Sequence, residues 1–256
     1  MALLETKNLS MRFGGLSALE GVNISIEEGQ VFGIIGPNGA GKSTCLNVIT
    51  GFLKPSEGSV FYKGESITFK KPHEIAEKGI IRTFQIMSLF PDLTCAESVI
   101  IGGYLKTRGD IWGAFTNSKS YRTNNLKAMN KANEILSLVG IGDKGQVTVK
   151  NLPFGDQRRL GIAIALAAQP NVLLLDEPAA GMSPQESSDL VSLIKSLQKM
   201  NISIILVEHN MKVVMELCEN LAVLNYGVKI AEGTPEEIVN NEEVVSIYLG
   251  NNNEHA

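Results

Sequence analysis

The sequence predicts an α/β fold that is built on a mostly parallel sheet. Short apolar segments of strand length recur at residues 31–35, 172–175, 202–207 and 221–224, and segments of helical character separate the last three of them. Strands that alternate with helices form parallel sheets. The first of these strands is also followed directly by a glycine-rich loop and then by a helix.

The N-terminal third is expected to carry an antiparallel portion beside the parallel sheet. Residues 22–27 alternate between apolar and polar side chains and end at a turn, and residues 59–63 show a similar alternation. A period of two is typical of strands that bury one face. Pro72 and Gly79 then bracket a short helix, after which residues 80–85 are predicted to form a strand.

Residues 86–168 are predicted to be mostly helical. Thr94 and Glu97 have the spacing of a capping box, which marks the start of a helix. Further along, a largely apolar stripe at helical spacing begins at Leu126 and stops at Gly140. The sequence therefore indicates a helical lobe between the N-terminal and C-terminal strands.

Composition and charge exclude several classes of protein. Of the 256 residues, 44% are hydrophobic and 20% are charged, which is typical of a globular protein and not of a disordered or collagenous one. The formal net charge is −4 and there is no dense run of Lys and Arg, so we expect no nucleic acid partner. Three distant cysteines favour a reducing, cytoplasmic compartment, and we expect neither a signal peptide nor a membrane span.

A phosphate-binding motif lies between the first apolar strand and the helix after it. Residues 36–43 match the pattern G-x-x-x-x-G-K-[ST]. The glycines let backbone amides converge on phosphate oxygens, and the start of the helix adds the positive end of its dipole. Lys42 is expected to reach the β- and γ-phosphates, and Ser43 to offer its hydroxyl to Mg²⁺. The predicted nucleotide-binding residues of this loop are Gly36, Pro37, Asn38, Gly39, Ala40, Gly41, Lys42, Ser43 and Thr44.

Two carboxylates follow the strand of residues 172–175. Asp176 and Glu177 stand at the C-terminal edge of the predicted parallel sheet, where ligands of such sheets bind. Because a carboxylate beside a phosphate loop needs a metal ion to offset its charge, we assign Asp176 to Mg²⁺, directly or through water. Glu177 is assigned to polarise the attacking water. Without the phosphate loop, the pair would be explained equally well as a cap of the next turn.

Two further polar residues end predicted strands at this edge. His209 follows the strand of residues 202–207, from where its imidazole is placed to reach the γ-phosphate. Gln85 ends the strand of residues 80–85, and its amide group is able both to accept a hydrogen bond from water and to donate one. Taken alone, a single histidine is more often structural, and a glutamine at a strand end is often merely solvated.

Together these residues resemble the ATP-binding subunits of ABC transporters and, within that family, the importer subunits for branched-chain amino acids. The resemblance extends over about residues 4–250, with residues 36–44 similar to the Walker A loop, 172–177 to Walker B and 178–182 to the D-loop. It implies a P-loop NTPase fold with a mostly parallel sheet, an N-terminal antiparallel β portion and a helical subdomain.

The resemblance also implies how the chain is divided. We expect residues 1–256 to form a single ABC ATPase domain. Its nucleotide-binding α/β core would comprise residues 1–85 and 169–250, and residues 86–168 would form the helical subdomain that carries the signature loop.

Individual residues gain roles from the same resemblance. Gln85 is similar to the Q-loop glutamine and His209 to the switch histidine, which makes them the expected catalytic residues together with Glu177. Gln85 is also expected to bind the metal ion, with Ser43 and Asp176.

The resemblance implies ATP and Mg²⁺ as ligands and an ATP-hydrolysing enzyme as the activity. Phe13 stands where the family places an aromatic ring against adenine. Taken alone, Phe13 fits the core of the first sheet equally well.

The signature loop departs from the common family pattern. The family sequence Leu-Ser-Gly-Gly-Gln aligns with Leu152, Pro153, Phe154, Gly155 and Asp156, so the serine, one glycine and the glutamine are replaced. In the family, this loop contacts the γ-phosphate that the opposing subunit holds. Pro153 donates no hydrogen bond, and Asp156 would repel a phosphate that it faced, although near a helix start its charge complements the helix dipole. We interpret the change as a trait of the branched-chain subgroup.

The resemblance implies that the chain powers an importer at the inner face of the cell membrane. Its partners would be two membrane-spanning permease subunits, a second ABC ATPase subunit and, indirectly, a substrate-binding protein. Because this chain's signature loop is degenerate, we expect the second ATPase subunit to be a different chain, which gives a heterodimer.

Several alternatives stay open at this point. No residue is expected to contact the transported molecule, so urea, other amino acids or an exported lipid are alternatives to branched-chain amino acids. A soluble ABC ATPase that acts on nucleic acid or ribosomes usually has a second cassette, a coiled coil or a basic face, none of which the sequence indicates. A P-loop phosphotransferase would need arginines near the phosphates, and no Arg cluster is placed for that role.

Overall fold

The computed structural model describes residues 2–83, 90–103 and 119–250. The strands among them are β1 Leu4–Phe13, β2 Leu16–Ile26, β3 Val31–Ile35, β4 Glu57–Tyr62, β5 Glu65–Ser66, β6 Ile80–Arg82, β7 Val172–Asp176, β8 Ser203–Val207, β9 Asn220–Asn225 and β10 Val228–Gly233. The α-helices among them are α1 Lys42–Ile49, α2 Pro72–Glu77, α3 Cys95–Gly102, α4 Lys119–Leu138, α5 Phe154–Ala167, α6 Pro184–Lys199, α7 Met211–Leu217, α8 Pro235–Val239 and α9 Glu242–Gly250. Two short 3₁₀ helices cover Gly142–Lys144 and Val149–Asn151.

The chain divides into two compact units. The first comprises Met1–Arg82 and Asn171–Ala256, and the second comprises Thr83–Pro170. That both units belong to one ABC ATPase domain of residues 1–256, divided as the resemblance implies, stays a prediction. In the described parts of the chain, no helix combines the length and the apolar character that crossing a membrane requires.

The first unit contains two sheets in addition to helices. The strands of one follow the order β2-β1-β4-β5 and pair antiparallel, and those of the other follow the order β10-β9-β3-β8-β7-β6. All neighbours in the second sheet are parallel except β9 and β10. The predicted α/β class, with a mostly parallel sheet and an N-terminal antiparallel portion, is thus confirmed.

The central strands of the parallel sheet bring their carboxyl ends side by side. All five residues of β3, of β7 and of β8 are buried, as is typical of parallel strands whose two faces are both covered. Val207 is in register with Ile34 of β3 on one side and with Asp176 of β7 on the other. Whatever follows these three strands in the chain therefore starts from one edge of the sheet.

The second unit is helical in its described part. The capping box that the sequence predicts begins α3, since Thr94 Oγ1 accepts a hydrogen bond from the Glu97 amide and the Glu97 carboxylate accepts one from the Thr94 amide. Helix α3 packs against both α4 and α5. The side chains of Val99, Leu136 and Leu160, one from each helix, are buried in this unit.

Three strands differ from what the sequence patterns indicate. Strand β1 is not indicated because a bulge interrupts its alternation, with a register shift between Thr6 and Leu9 and a positive φ of 49° at Asn8. Strand β10 is not indicated because it lies at the sheet edge, partly exposed along its length. Strand β6 ends at Arg82, and Gln85, expected at its end, lies outside the described residues.

Candidate functional site

The phosphate loop joins the carboxyl end of β3 to the start of α1. The residue before α1 is Gly41, which has a φ of 102° and no side chain to cap the helix. The first amides of α1 are therefore directed away from the helix without a side-chain acceptor from Gly41, as an anion-binding helix start requires. The position of the loop between a buried strand and a helix is the context in which its sequence motif binds phosphate.

Two glycines of this loop are required by backbone crowding. A Cβ on Gly36 would lie 2.0 Å from the carbonyl oxygen of Leu224, and one on Gly41 would lie 2.5 Å from that of Ala18. Both residues also have positive φ values, 148° and 102°. Because either contact would clash with backbone, the loop needs glycine at both positions to stay close to the neighbouring strands.

Lys42 is the buried cation of the loop. Its ammonium donates hydrogen bonds to the carbonyl oxygens of Gly36 at 2.7 Å and Pro37 at 2.9 Å. Burial lowers the pKa of Lys42, while the negative charges of Glu177 and Asp176 raise it. The lysine thus lies inside the loop with two carboxylates close enough to affect its charge.

Asp176, at the end of β7, is held by an arginine that the sequence interpretation did not single out for a role. Arg82 Nη2 donates to Asp176 Oδ2 at 2.7 Å, and Arg82 Nη1 donates to Asn47 Oδ1 on α1 at 2.6 Å. Only 7% of the Arg82 side chain and 3% of the Asp176 side chain are exposed. Arg82 therefore links β6, the helix of the phosphate loop and the aspartate.

The free oxygen of Asp176 fits a metal ion. Within the described residues, Asp176 Oδ1 is buried and has no hydrogen-bond partner. Ser43, the other described residue predicted to bind the metal, is exposed at the start of α1. The described residues contain no group of three or more His, Cys, Asp or Glu side chains that would hold a metal ion by themselves. This arrangement suits Mg²⁺, which usually takes only one or two protein ligands and completes its shell with water and substrate phosphates.

Glu177 and His209 are brought into direct contact. His209 Nε2 and Glu177 Oε1 are 2.6 Å apart, although 32 positions separate the two residues in the chain. Glu177 has a φ of 48°, which is rare for a residue with a side chain, and its amide donates to the carbonyl of Val207. Such backbone strain is typical of functional positions. The geometry pairs the carboxylate assigned as general base with a histidine, at the sheet edge where the phosphate loop begins.

Glu208 is a buried carboxylate, like Asp176, but the sequence analysis did not predict a role for it. It is 3% exposed and accepts hydrogen bonds from the amides of Ala179, His209 and Asn210 at 2.7, 3.1 and 3.4 Å. Burial raises the pKa of Glu208, and the amide hydrogen bonds lower it. The sequence signal for Glu208 was a charged residue directly after a mostly apolar strand, a position at which a solvent-exposed side chain is the ordinary expectation.

Phe13 is an exposed ring at the end of β1. Its exposed fraction is 47%, and it pairs in register with Leu16, which is exposed as well. The alternative that Phe13 belongs to the core of the antiparallel sheet is therefore wrong. Its contact with adenine stays a prediction.

The signature loop forms the start of α5. Leu152 and Gly155 are buried, Pro153 is the residue before the helix, and Phe154 is exposed. Asp156 lies in the first turn and forms an ion pair with Lys144. The aspartate thus has a cationic partner in its own unit, which offsets the repulsion that the sequence alone suggests.

Family models and relatives agree on the kind of protein that this site belongs to. The model described as ABC transporter matches residues 19–180, and one described as branched-chain amino acid ATP-binding cassette transporter matches residues 228–252. The chain is 40% identical over 249 residues to the high-affinity branched-chain amino acid transport ATP-binding protein BraF of Pseudomonas aeruginosa, covering 97% of this chain and 98% of the relative. It is 38% identical, with the same coverage, to the corresponding protein LivG of Escherichia coli K12.

Solved structures give the same answer. A nucleotide-free ATP-binding cassette from an ABC transporter superposes with a TM-score of 0.85 at 33% identity, covering 97% of this chain and 99% of that one. A cassette in its ADP conformation superposes with a TM-score of 0.84 at 33% identity, covering 98% and 99%. The chain therefore belongs to the ABC transporter family, as an ATP-binding cassette that hydrolyses ATP.

Proposed function

We propose that this chain hydrolyses MgATP to drive the uptake of branched-chain amino acids. The observation that carries the hydrolytic part is the 2.6 Å contact between Glu177 and His209 at the sheet edge from which the phosphate loop starts. The proposed substrate is supported by the relatives, which match nearly the whole length of the chain. Their names specify branched-chain amino acid transport. Transport of urea would be detected by the same uptake assay.

In this function each residue of the site has a distinct role. The phosphate loop and Lys42 bind the phosphates, and Phe13 stacks on adenine. Ser43, Gln85 and Asp176 hold Mg²⁺, which when bound neutralises negative charge on the phosphates. Glu177 polarises the attacking water, and His209 orients Glu177 and reaches the γ-phosphate.

The partners follow from the same proposal. The chain would join a second ABC ATPase subunit and two membrane-spanning permease subunits, and through them a substrate-binding protein. It would lie in the cytoplasm against the inner face of the cell membrane. The second ATPase subunit is proposed to be a related chain with a complete signature loop, which makes the pair a heterodimer.

Two substitutions test the assignment of the ATPase site. Lys42→Ala should abolish ATP binding, because the loop loses its only cation that reaches the β- and γ-phosphates. Glu177→Gln should keep ATP binding and reduce hydrolysis at this chain's own site by about a hundredfold or more, because an amide does not take up a proton from water. Equilibrium ATP binding and phosphate release measure the two effects. Normal turnover by the Glu177→Gln chain, assembled with its partners, would contradict the assignment of the base.

A transport measurement tests the substrate. The transporter is purified with its native partners, placed in vesicles and supplied with radiolabelled leucine, isoleucine, valine or urea. Uptake of the three branched-chain amino acids that requires ATP and the intact Lys42 is the expected result. ATP-dependent uptake of urea alone would mean that the ATPase is assigned correctly and its substrate wrongly.

A further inference from the structure

Glu208 is bonded to the two segments that carry the catalytic side chains, and the assigned roles do not explain it. It directly follows β8, and within the described ranges every hydrogen bond to its carboxylate comes from a backbone amide. Moving a carboxylate out of water is costly unless several donors compensate it. An apolar side chain would avoid this cost but would leave the amides of Ala179 and His209 without this acceptor, so the role of the carboxylate calls for an explanation.

The carboxylate connects two separate segments of the chain. Oε1 accepts from the amide of Ala179, two residues after Glu177, and Oε2 accepts from the amide of His209. Because His209 in turn contacts Glu177, the four residues form a closed ring of contacts. The distance between Ala179 and His209 is thereby set by one side chain.

The start of helix α7 does not require Glu208. Asn210 caps that helix itself, since its side-chain oxygen accepts hydrogen bonds from the amides of Lys212 and Val213. The contact of Glu208 with the Asn210 amide is also the longest of its three, at 3.4 Å. The shortest contact is the one to Ala179, in the segment that carries Glu177.

We propose that Glu208 is a positioning residue, whose carboxylate ties the backbone at Ala179 to that at His209 and so holds the imidazole against Glu177. The inference rests on the proposed function, in which Glu177 and His209 act together. A carboxylate is suited to this role because both of its oxygens accept hydrogen bonds. An amide group has one accepting oxygen and one donating nitrogen. With Gln at this position, the side-chain nitrogen would therefore face a backbone N–H, and neither of the two donors would have an acceptor.

A double-mutant cycle tests the role. Glu208→Gln should lower kcat for MgATP hydrolysis by about tenfold or more and change the affinity for ATP less than about threefold. In a chain that already carries His209→Ala, the same change should lower kcat by less than about twofold, because the side chain being positioned is absent. Measurements use the full-length chain in its transporter, with equilibrium ATP binding and urea unfolding for each variant.

A matched control separates positioning from general loss of structure. Glu237 accepts a hydrogen bond from the Thr234 amide at the start of α8, as a capping-box glutamate, and within the described residues it forms no hydrogen bond with Ala179 or His209. Glu237→Gln should therefore leave kcat unchanged. Glu208→Asp, which keeps the charge but is one methylene shorter, provides a second variant and should also lower kcat.

Several results would overturn the inference. One is full ATPase activity of the Glu208→Gln variant, and another is a decrease in kcat that is independent of the decrease caused by His209→Ala. A third is failure of both Glu208 variants to fold, which would make the carboxylate a requirement of the fold as a whole. Lys42→Ala provides the separate check of the proposed function. If Lys42→Ala still bound and hydrolysed ATP, the function itself would be wrong, whereas additive effects in an enzyme that needs Lys42 would overturn only the role of Glu208.

Discussion

Arg82 is the ion-pair partner of Asp176, which is buried at the end of β7. The two side chains form an ion pair at 2.7 Å, and both are almost completely buried. Two charges removed from water recover their desolvation cost only through close pairing and further hydrogen bonds, and Arg82 gains one such bond from Asn47. One oxygen of the aspartate is thereby fixed, while the other remains available to a metal ion.

Removal of Arg82 should destabilise the protein strongly. Arg82→Met leaves the charge of Asp176 buried without its partner, which costs about 3 to 5 kcal/mol of the free energy of unfolding. The additional change Asp176→Asn removes that charge and should recover part of the loss. Urea unfolding of the full-length chain, of both single variants and of the double variant measures the coupling. Strictly additive losses would contradict a direct pairing of the two residues.

The buried thiols should be unreactive in the folded protein. Burial raises the pKa of Cys45 and of Cys218 from 9.0 to about 12. At pH 8, about one thiol in ten is ionised at the ordinary pKa but only about one in ten thousand at the raised value, and the thiolate is the reactive form. We expect iodoacetamide to label both residues at least about a hundredfold faster in urea than in the native protein, as measured by peptide mass spectrometry.

The raised pKa values also have a consequence for stability. Because the folded thiols hold their protons more tightly than the unfolded ones, the folded state loses stability as the pH rises from about 9 towards 12. Rapid labelling of either cysteine by iodoacetamide in the native protein at pH 8 would contradict the expected low reactivity. It would mean that the surroundings of that thiol open readily to solvent.

At the residue level, the sequence predicts site residues that belong to one short motif better than it predicts contacts between residues far apart in the chain. The phosphate loop and the two carboxylates were predictable because motif, strand and helix all lie within short stretches of sequence. The pairing of Arg82 with Asp176 was not, because it joins residues 94 positions apart and depends on the alignment of β6 with β7. The same holds for Glu208 and Ala179, which are 29 positions apart.

Helix α5 carries Asp156, an unusual residue for the signature loop, in its first turn. Asp156 pairs with Lys144, and both side chains are partly shielded from solvent. The hydrogen bond to Asp156 raises the pKa of Lys144, which favours the charged form of the lysine. A negative charge in the first turn also suits the dipole of the helix. The carboxylate of the degenerate signature loop is therefore paired with a cation.

Loss of Lys144 should weaken the function of this loop. Lys144→Met leaves the charge of Asp156 without its counter-ion, and in the proposed dimer that charge would act on the nucleotide held by the opposing subunit. A repulsion of about 1 kcal/mol corresponds to a loss of about fivefold in ATPase activity. Phosphate release by the assembled transporter measures the effect.

The chain offers a matched control for this variant. Lys150 forms an ion pair with Asp92 in the same unit, but both side chains are largely exposed. Lys150→Met should leave ATPase activity unchanged, because exposed pairs contribute little. Lys144→Arg keeps the charge and should retain activity. Equal losses in the Lys144→Met and Lys150→Met variants would argue for a nonspecific effect of charge.

Strands with a regular pattern of buried residues could be predicted from the sequence, and strands with an irregular pattern could not. Strands β3, β7 and β8 are buried throughout, so continuous apolar runs identify them. Strand β1 carries a bulge at Asn8, and β10 lies partly exposed at the sheet edge, so neither shows the period of two that a sequence pattern requires.

At the scale of the whole molecule, the order of strands and helices determined the fold class. The alternation in the C-terminal half predicts parallel strands, and the sheet order β10-β9-β3-β8-β7-β6 agrees with that prediction. The order of strands and helices does not predict whether the second ATPase subunit of the proposed dimer is another copy of this chain or a different chain. That question depends on the signature loop, because in the family it acts on the nucleotide of a second subunit.

A homodimer would place two degenerate signature loops over two intact phosphate loops. Pro153 has neither a hydroxyl nor a backbone N–H to donate, so both γ-phosphates would lack the contact that serine provides in the common signature. The pairing of Asp156 with Lys144 reduces the repulsion but does not replace the missing donor. A partner with a complete loop would restore the contact at one site.

The expected heterodimer therefore has two unequal ATPase sites. One charge-assisted hydrogen bond to phosphate contributes about 1.5 to 3 kcal/mol, or roughly a tenfold to hundredfold difference in rate. The site formed by this chain's Lys42, Glu177 and His209 under the partner's loop should be the faster one. Glu177→Gln in this chain should then abolish most of the activity of the mixture, and the equivalent change in the partner should leave most of it. Full activity and ATP-driven dimerisation by this chain alone would refute the heterodimer, because two loops without the serine donor would then be sufficient for hydrolysis.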